Sequence, residues 1–179
     1  MLKKTYILII LVLFLTALAF LLAPSLLPEA TPSAPAPPAA GEAPQLPTLP
    51  EQFAGLQLVS SESGEVAMQE ILKLHRNPFP LLDGLIAKYS GAAEVTVRVS
   101  LSPTIDEANM LMERMVETMP ASTVFKEESV FPMEGQQIYH VTGMGMDHYY
   151  WLDGLYVYWL AVEKTTEPLA VLAAFIQAL

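Results

Sequence analysis

Between His140 and His148 the chain reads His-Val-Thr-Gly-Met-Gly-Met-Asp-His, which gathers two of its three histidines and two of its nine methionines. Imidazole and thioether groups together suit Cu(I), and a chain without cysteine has no thiolate to offer instead. If Gly143-Met144-Gly145 forms a three-residue hairpin loop, His140 falls directly opposite His148 and Thr142 opposite Met146. Opposed positions have Cβ atoms ~5 Å apart, close enough for two imidazoles to meet one metal. The candidate copper ligands are therefore His140, His148, Met146 and Met144. A two-residue loop at Met144-Gly145 shifts the register and separates the histidines. Both loops are open at this level.

The residues that follow are aromatic. A turn at Asp153-Gly154 pairs Tyr149 with Tyr158 and Trp151 with Tyr156, sets His148 opposite Trp159, and sends Tyr150 and Trp159 to the other face. Cross-strand aromatic pairs stabilise a sheet. Exposed, the belt of Tyr149, Trp151, Tyr156 and Tyr158 would instead be a docking surface for another envelope protein, because Tyr and Trp are enriched at interfaces.

No arrangement for catalysis is evident. The sequence has no G-x-S-x-G, S-x-x-K, H-E-x-x-H, Walker or EF-hand pattern, and Gly143-x-Gly145 lacks the third glycine of a dinucleotide loop. Glu113 with Glu117, and Glu127-Glu128, read as solvated carboxylates, and His75 as a helix C-terminal group favoured by the helix dipole. The expected function is a non-enzymatic binding or accessory domain, with a soft-metal (copper) binding protein as the alternative.

Periodicity outlines the elements that must position these residues. Leu56–Val59 alternates as a short strand. Ser61 to Ser63 offer caps for a helix over Glu65–His75 with Ala67, Ile71 and Leu74 inward. Asn77-Pro78 stops that helix, and Asp83-Gly84 predicts a type I′ turn between Phe79–Leu82 and Leu85–Tyr89. In Glu94–Leu101, Val95, Val97, Val99 and Leu101 alternate with Glu94, Thr96, Arg98 and Ser100, the pattern of a strand with one wet face. Thr104-x-x-Glu107 is a capping box for a helix carrying Ala108, Met112, Met115 and Met119 on one stripe. Strands follow over Ser122–Phe131, Gln137–Thr142, Met146–Leu152 and Leu155–Glu163, the last two joined by a second type I′ turn. A final helix over Glu167–Ala178 turns Leu169, Leu172, Ala173 and Ile176 inward. The fold class expected is α+β, an antiparallel sheet with helices on one face, ferredoxin-like or a related sandwich.

The N-terminal segments decide where this domain works. Residues 1–4 are a positive head with Lys3 and Lys4. Thr5 to Ala23 is an uncharged run of 19 residues, about 28 Å of helix against a ~30 Å hydrocarbon core. Lysine on one end only predicts a single-pass anchor with the N-terminus cytoplasmic and the rest outside. A cleaved signal peptide, with Ala17-Leu18-Ala19 before the cut, is the competing reading and places the domain on the same side. Residues 24–50 hold nine of the 15 prolines and predict an extended linker, leaving 51–179 as one extracytoplasmic domain. All 19 acidic residues but only seven of the nine basic ones lie beyond the anchor, a net charge of −12. Such a surface repels phosphate backbones, so nucleic acid is not an expected partner.

Overall fold

The valine-alternating strand Glu94–Leu101 lies at the centre of an eight-stranded antiparallel sheet, seen in a computed structural model that describes residues 43–75, 77–163, 165 and 167–179. The head, the apolar run and the linker as far as residue 42 lie outside the described residues. No helix among the described residues is long and apolar enough to cross a membrane. A compact unit spans Ala43–Leu179 and so takes in the end of the expected linker. Tyr156 donates its hydroxyl to the Gln45 carbonyl (2.6 Å) and Tyr89 donates to that of Pro50 (2.9 Å), while Leu46 and Leu49 pack on the core. Residues 43–50 thus form a strap along the domain.

The strands are β1 (Gln52–Phe53), β2 (Leu56–Ser63), β3 (Asp83–Ser90), β4 (Glu94–Leu101), β5 (Phe125–Met133), β6 (Gln136–Gly143), β7 (Met146–Asp153) and β8 (Tyr156–Glu163). Their order across the sheet is β1-β2-β3-β4-β8-β7-β6-β5. Helix α1 (Glu65–Lys73) links β2 to β3, α2 (Ile105–Thr118) links β4 to β5 through a 3₁₀ turn, and α3 (Pro168–Ala178) closes the chain. The Thr104 cap of α2 is formed: the Glu107 amide donates to Thr104 Oγ1 at 3.2 Å, and the Glu107 carboxylate reaches back to accept the Thr104 hydroxyl at 3.1 Å rather than its backbone amide.

The class is α+β, but the helices do not share one face. Helix α3, through Val171, Leu172 and Phe175, covers Val97, Val99, Tyr149, Trp151, Tyr158 and Leu160. Leu111, Met112 and Met115 of α2 cover Val141, Tyr150 and Val157 on the opposite face, and α1 lies on that second face over Gly84. The physical reason is that β7 and β8 are apolar on both faces, so each face needs cover. Nor is the order that of a ferredoxin-like split unit, because β2 and β3, joined through α1, pair directly and antiparallel.

Three local expectations give way for identifiable reasons. Ser61 to Ser63 continue β2, and Gly64 is the residue that caps α1. Asp83-Gly84 is not a hairpin turn but the start of β3. The Asp83 carboxylate accepts the Gly64 and Gly84 amides at 3.0 and 2.7 Å. A Cβ on Gly84 would stand 3.0 Å from Ile71 Cδ1 and 3.1 Å from the Met68 amide nitrogen, so glycine lets α1 approach the sheet. In the last hairpin the loop residues are Gly154-Leu155, and only Gly154 has positive φ (57°), the pattern of a type II′ turn rather than I′.

At one edge β1 is two residues long. At the other, β5 presents Lys126, Glu127, a bulge between Glu127 and Ser129, and Pro132.

Candidate functional site

The β6–β7 hairpin closes with the two-residue loop. Gly143 pairs with Met146, and Met144 and Gly145 both take positive φ (53° and 78°), as a type I′ turn requires. Gly143 is the last paired residue of the strand, and it must be glycine because a Cβ there would meet Phe125 Cδ1 at 2.5 Å and the Val124 carbonyl at 2.7 Å. The register therefore sets His140 opposite Tyr149 and His148 opposite Val141. The two histidines project from opposite faces and do not share a site. Met144 stands at the loop tip, 66 % exposed, and Met146 shares only the face of His148. The expected copper set is not brought together, and among the described residues no group of three His, Asp or Glu is placed to hold a metal.

His148 has become part of the core, 2 % exposed. Trp159 Nε1 donates to His148 Nδ1 at 3.2 Å, and His148 Nε2 lies 3.1 Å from the Gly143 carbonyl. Because an indole can only donate, Nδ1 must be the bare nitrogen and Nε2 carries the proton given to Gly143. The ring is thus held neutral. Burial pushes its pKa down, with the Gly143 carbonyl acting the other way and the Arg98 charge adding to the depression.

On the other face His140 Nε2 lies 2.7 Å from Asp147 Oδ1, and the ring stacks on Tyr149 with centroids 4.7 Å apart. Beside it Thr142 donates to Glu128 (3.0 Å), which also receives Lys126 (3.0 Å). The Lys126 bond, then the Thr142 bond, holds the Glu128 carboxyl below its ordinary value. A depression of about 510 Å³ opens nearby along Met119, Ser122, Phe125, Lys126 and Thr142. It touches neither histidine.

The aromatic belt is core, not surface. Tyr149, Trp151 and Tyr158 are 0, 1 and 3 % exposed beneath α3. The II′ turn moves each partner along the strand, so Trp151 stacks on Tyr158 (4.9 Å, 1°), Tyr149 faces Leu160, and His148 faces Ala161 rather than Trp159. Of the four expected docking residues only Tyr156 is half-exposed, and its hydroxyl is tied to Gln45. The other face carries Tyr139, Tyr150 and Trp159 in a second stack at 5.2 and 5.3 Å.

Tyr149 Oη is buried with no hydrogen-bond partner among the described residues. Burial, reinforced by the Asp147 carboxylate, pushes its pKa far above the ordinary phenol value. Removing an unsatisfied hydroxyl relieves its desolvation cost. Tyr149→Phe is predicted to stabilise the domain by about 1 kcal/mol, read as a higher urea midpoint with unchanged slope. A loss of stability would show that the hydroxyl is satisfied in solution.

The sheet brings forward one further group, which carries no motif in the sequence. Arg98 sits on β4 opposite Ile86 on one side and Trp159 on the other. It lies on the strip of sheet between α1, which packs on β3 and β4, and α2, which packs on β7 and β8. Lys88 shares that face two residues beyond Ile86, opposite Thr96. Arg98 is half-buried, and its guanidinium makes no hydrogen bond or ion pair among the described residues. Burial pulls its pKa down, while Glu70 pushes it back up from beyond ion-pair distance. Glu70 is itself engaged by Lys73 at 2.6 Å. Arg114 on α2 bears on His75 at the end of α1, where burial is the main cause of a lowered pKa. The alternation of β4 does put Arg98 on its polar face, but no sequence signal says that this face is walled by two helices.

No known family model matches the chain, and no curated protein shows significant similarity to it.

Proposed function

We propose that the chain is a non-enzymatic binding domain, held outside the cytoplasm on an N-terminal membrane anchor and serving an envelope partner protein. The observation that carries the binding part is Arg98, a half-buried guanidinium with no partner of its own on a strip of sheet between two helices. Guanidinium groups are rarely desolvated without a counter-charge, because the cost is compensated only by pairing. Tethering is supported by the uncharged run Thr5 to Ala23 and by the strap that fastens residues 43–50 to the domain. The burial of Tyr149, Trp151 and Tyr158 favours the Arg98 strip over the aromatic hairpin as the place where a ligand is bound.

The experiment is a topology measurement on the full chain in intact cells. The full chain is predicted to fractionate with membranes and its domain to be digested by protease added outside. Deletion of residues 1–23 should release it from the membrane. A domain protected from external protease, or a deletion variant still bound to membrane, refutes the anchor.

A further inference from the structure

We infer that the strip between α1 and α2 is a site for a small free oxyanion, a carboxylate or phosphate group, received by the Arg98 guanidinium with Lys88 as its second positive charge. The inference rests on reading the domain as a binding module and names the chemistry of what it binds. Three observations converge on it.

First, Arg98 is committed to no protein acceptor. Lys73 and Lys126 each have a carboxylate within 3.0 Å, whereas Arg98 has none within ion-pair distance among the described residues. A planar fork of five donors is matched best by an oxyanion that accepts two parallel bonds.

Second, the neighbours shield the fork without satisfying it. Ile86 and Trp159 flank Arg98 in the register. Both are half-buried, so they lower the local dielectric around a charge they cannot pair. An anion held there is worth more than one at an open surface.

Third, the surrounding charge fits an anion of limited size. Lys88 stands exposed on the same face, and the Glu70 carboxylate that acts on Arg98 from beyond ion-pair distance is itself paired with Lys73 at 2.6 Å. Yet the chain carries a formal charge of −10. That field repels an extended anionic surface such as a bilayer of acidic lipid, while a small anion is screened from distant carboxylates within about 8 Å of physiological salt. Free oxyanions are therefore favoured over lipid headgroups carrying the same chemistry.

The test uses the full chain in non-ionic detergent and follows both heat of binding and tryptophan fluorescence, since Trp159 adjoins Arg98. Inorganic phosphate and succinate are titrated separately, with soluble dihexanoyl-phosphatidylglycerol as the headgroup arm. Saturable binding of phosphate or succinate is expected. Arg98→Met should weaken it about tenfold to a hundredfold, as loss of a charge-assisted hydrogen-bonded pair does, and Arg98→Lys less. Lys126→Met, on the opposite face, should leave it unchanged. No saturation with any probe, or saturation with the lipid analogue alone, overturns the inference. If Arg98→Met does not fold, Arg98→Lys decides, and an unaltered affinity there counts against the site. Failure in these titrations leaves the topology result standing, so the two readings fail separately.

Discussion

Trp151→Ala is expected to destabilise the domain by about 3–5 kcal/mol, the range for deleting a large buried aromatic side chain. Trp151 is 1 % exposed. It lies parallel to Tyr158 at 4.9 Å and edge-on to Phe175 of α3 at 6.3 Å, so the truncation opens a cavity between sheet and helix. Collapse around that cavity is resisted by Tyr149 and Leu160 beside it, both without exposed surface. Urea unfolding followed by far-ultraviolet circular dichroism measures the effect. A docking role for the belt makes the opposite forecast: partner binding lost and stability kept. A change below about 1 kcal/mol would therefore remove Trp151 from the core.

The second large effect is a loss of stability in mild acid. His148 in the unfolded chain titrates near 6.5, the ordinary imidazole value, and in the fold burial lowers it. The unfolded state then binds the proton more readily, so stability is complete above about pH 6.5 and declines as pH falls below it. The slope approaches 1.4 kcal/mol per pH unit for one such group, until the folded histidine also protonates. His75, depressed mainly by burial, acts in the same direction. Glu70 and Glu128 have lowered values, so they lose their contribution only below the ordinary carboxylate range and do not confuse the window. Urea midpoints at pH 8 and pH 5 test this. His148→Phe is predicted to cost about 1–3 kcal/mol at pH 8, because the Trp159 indole N–H loses its buried acceptor, and to flatten the pH dependence. A midpoint equal at both pH values in the wild-type chain would contradict the neutral, doubly engaged imidazole.

The elements were legible where one physical cause dominates. Glu94–Leu101 alternates so strictly that its bounds and its inward valines follow from the pleat alone. The same holds for the Thr104-Glu107 cap and the methionine stripe behind it. Legibility failed where two causes compete. Gly84 has the company of a turn, Asp before and Leu after, yet its use is to admit Ile71. Helix α3 is apolar nearly all round, so its periodicity could not select Val171, Leu172 and Phe175 over Leu169, which is exposed. At the candidate copper site everything depended on whether the loop held two residues or three. It holds two, with Gly143 paired to Met146 on one side and to Phe125 of the neighbouring strand on the other. Arg98 was readable as polar but not as hemmed in, because the helices beside it arrive from other parts of the chain.

On the proposed anchor, the two margins of the sheet would face neighbouring copies in a crowded membrane. Anchored molecules meet one another at far higher effective concentration than free ones, with rims of unpaired amides and carbonyls facing sideways. A flat, greasy final strand would let each copy recruit the next into a growing ribbon. Here Lys126, Glu127 and Pro132 with their bulge deny a newcomer its ladder on one side. On the other, among the described residues, β1 covers only Leu56 and Gln57, so a neighbour would meet the rest of β2, lined by Ser60, Ser61, Glu62 and Ser63 and polar rather than greasy.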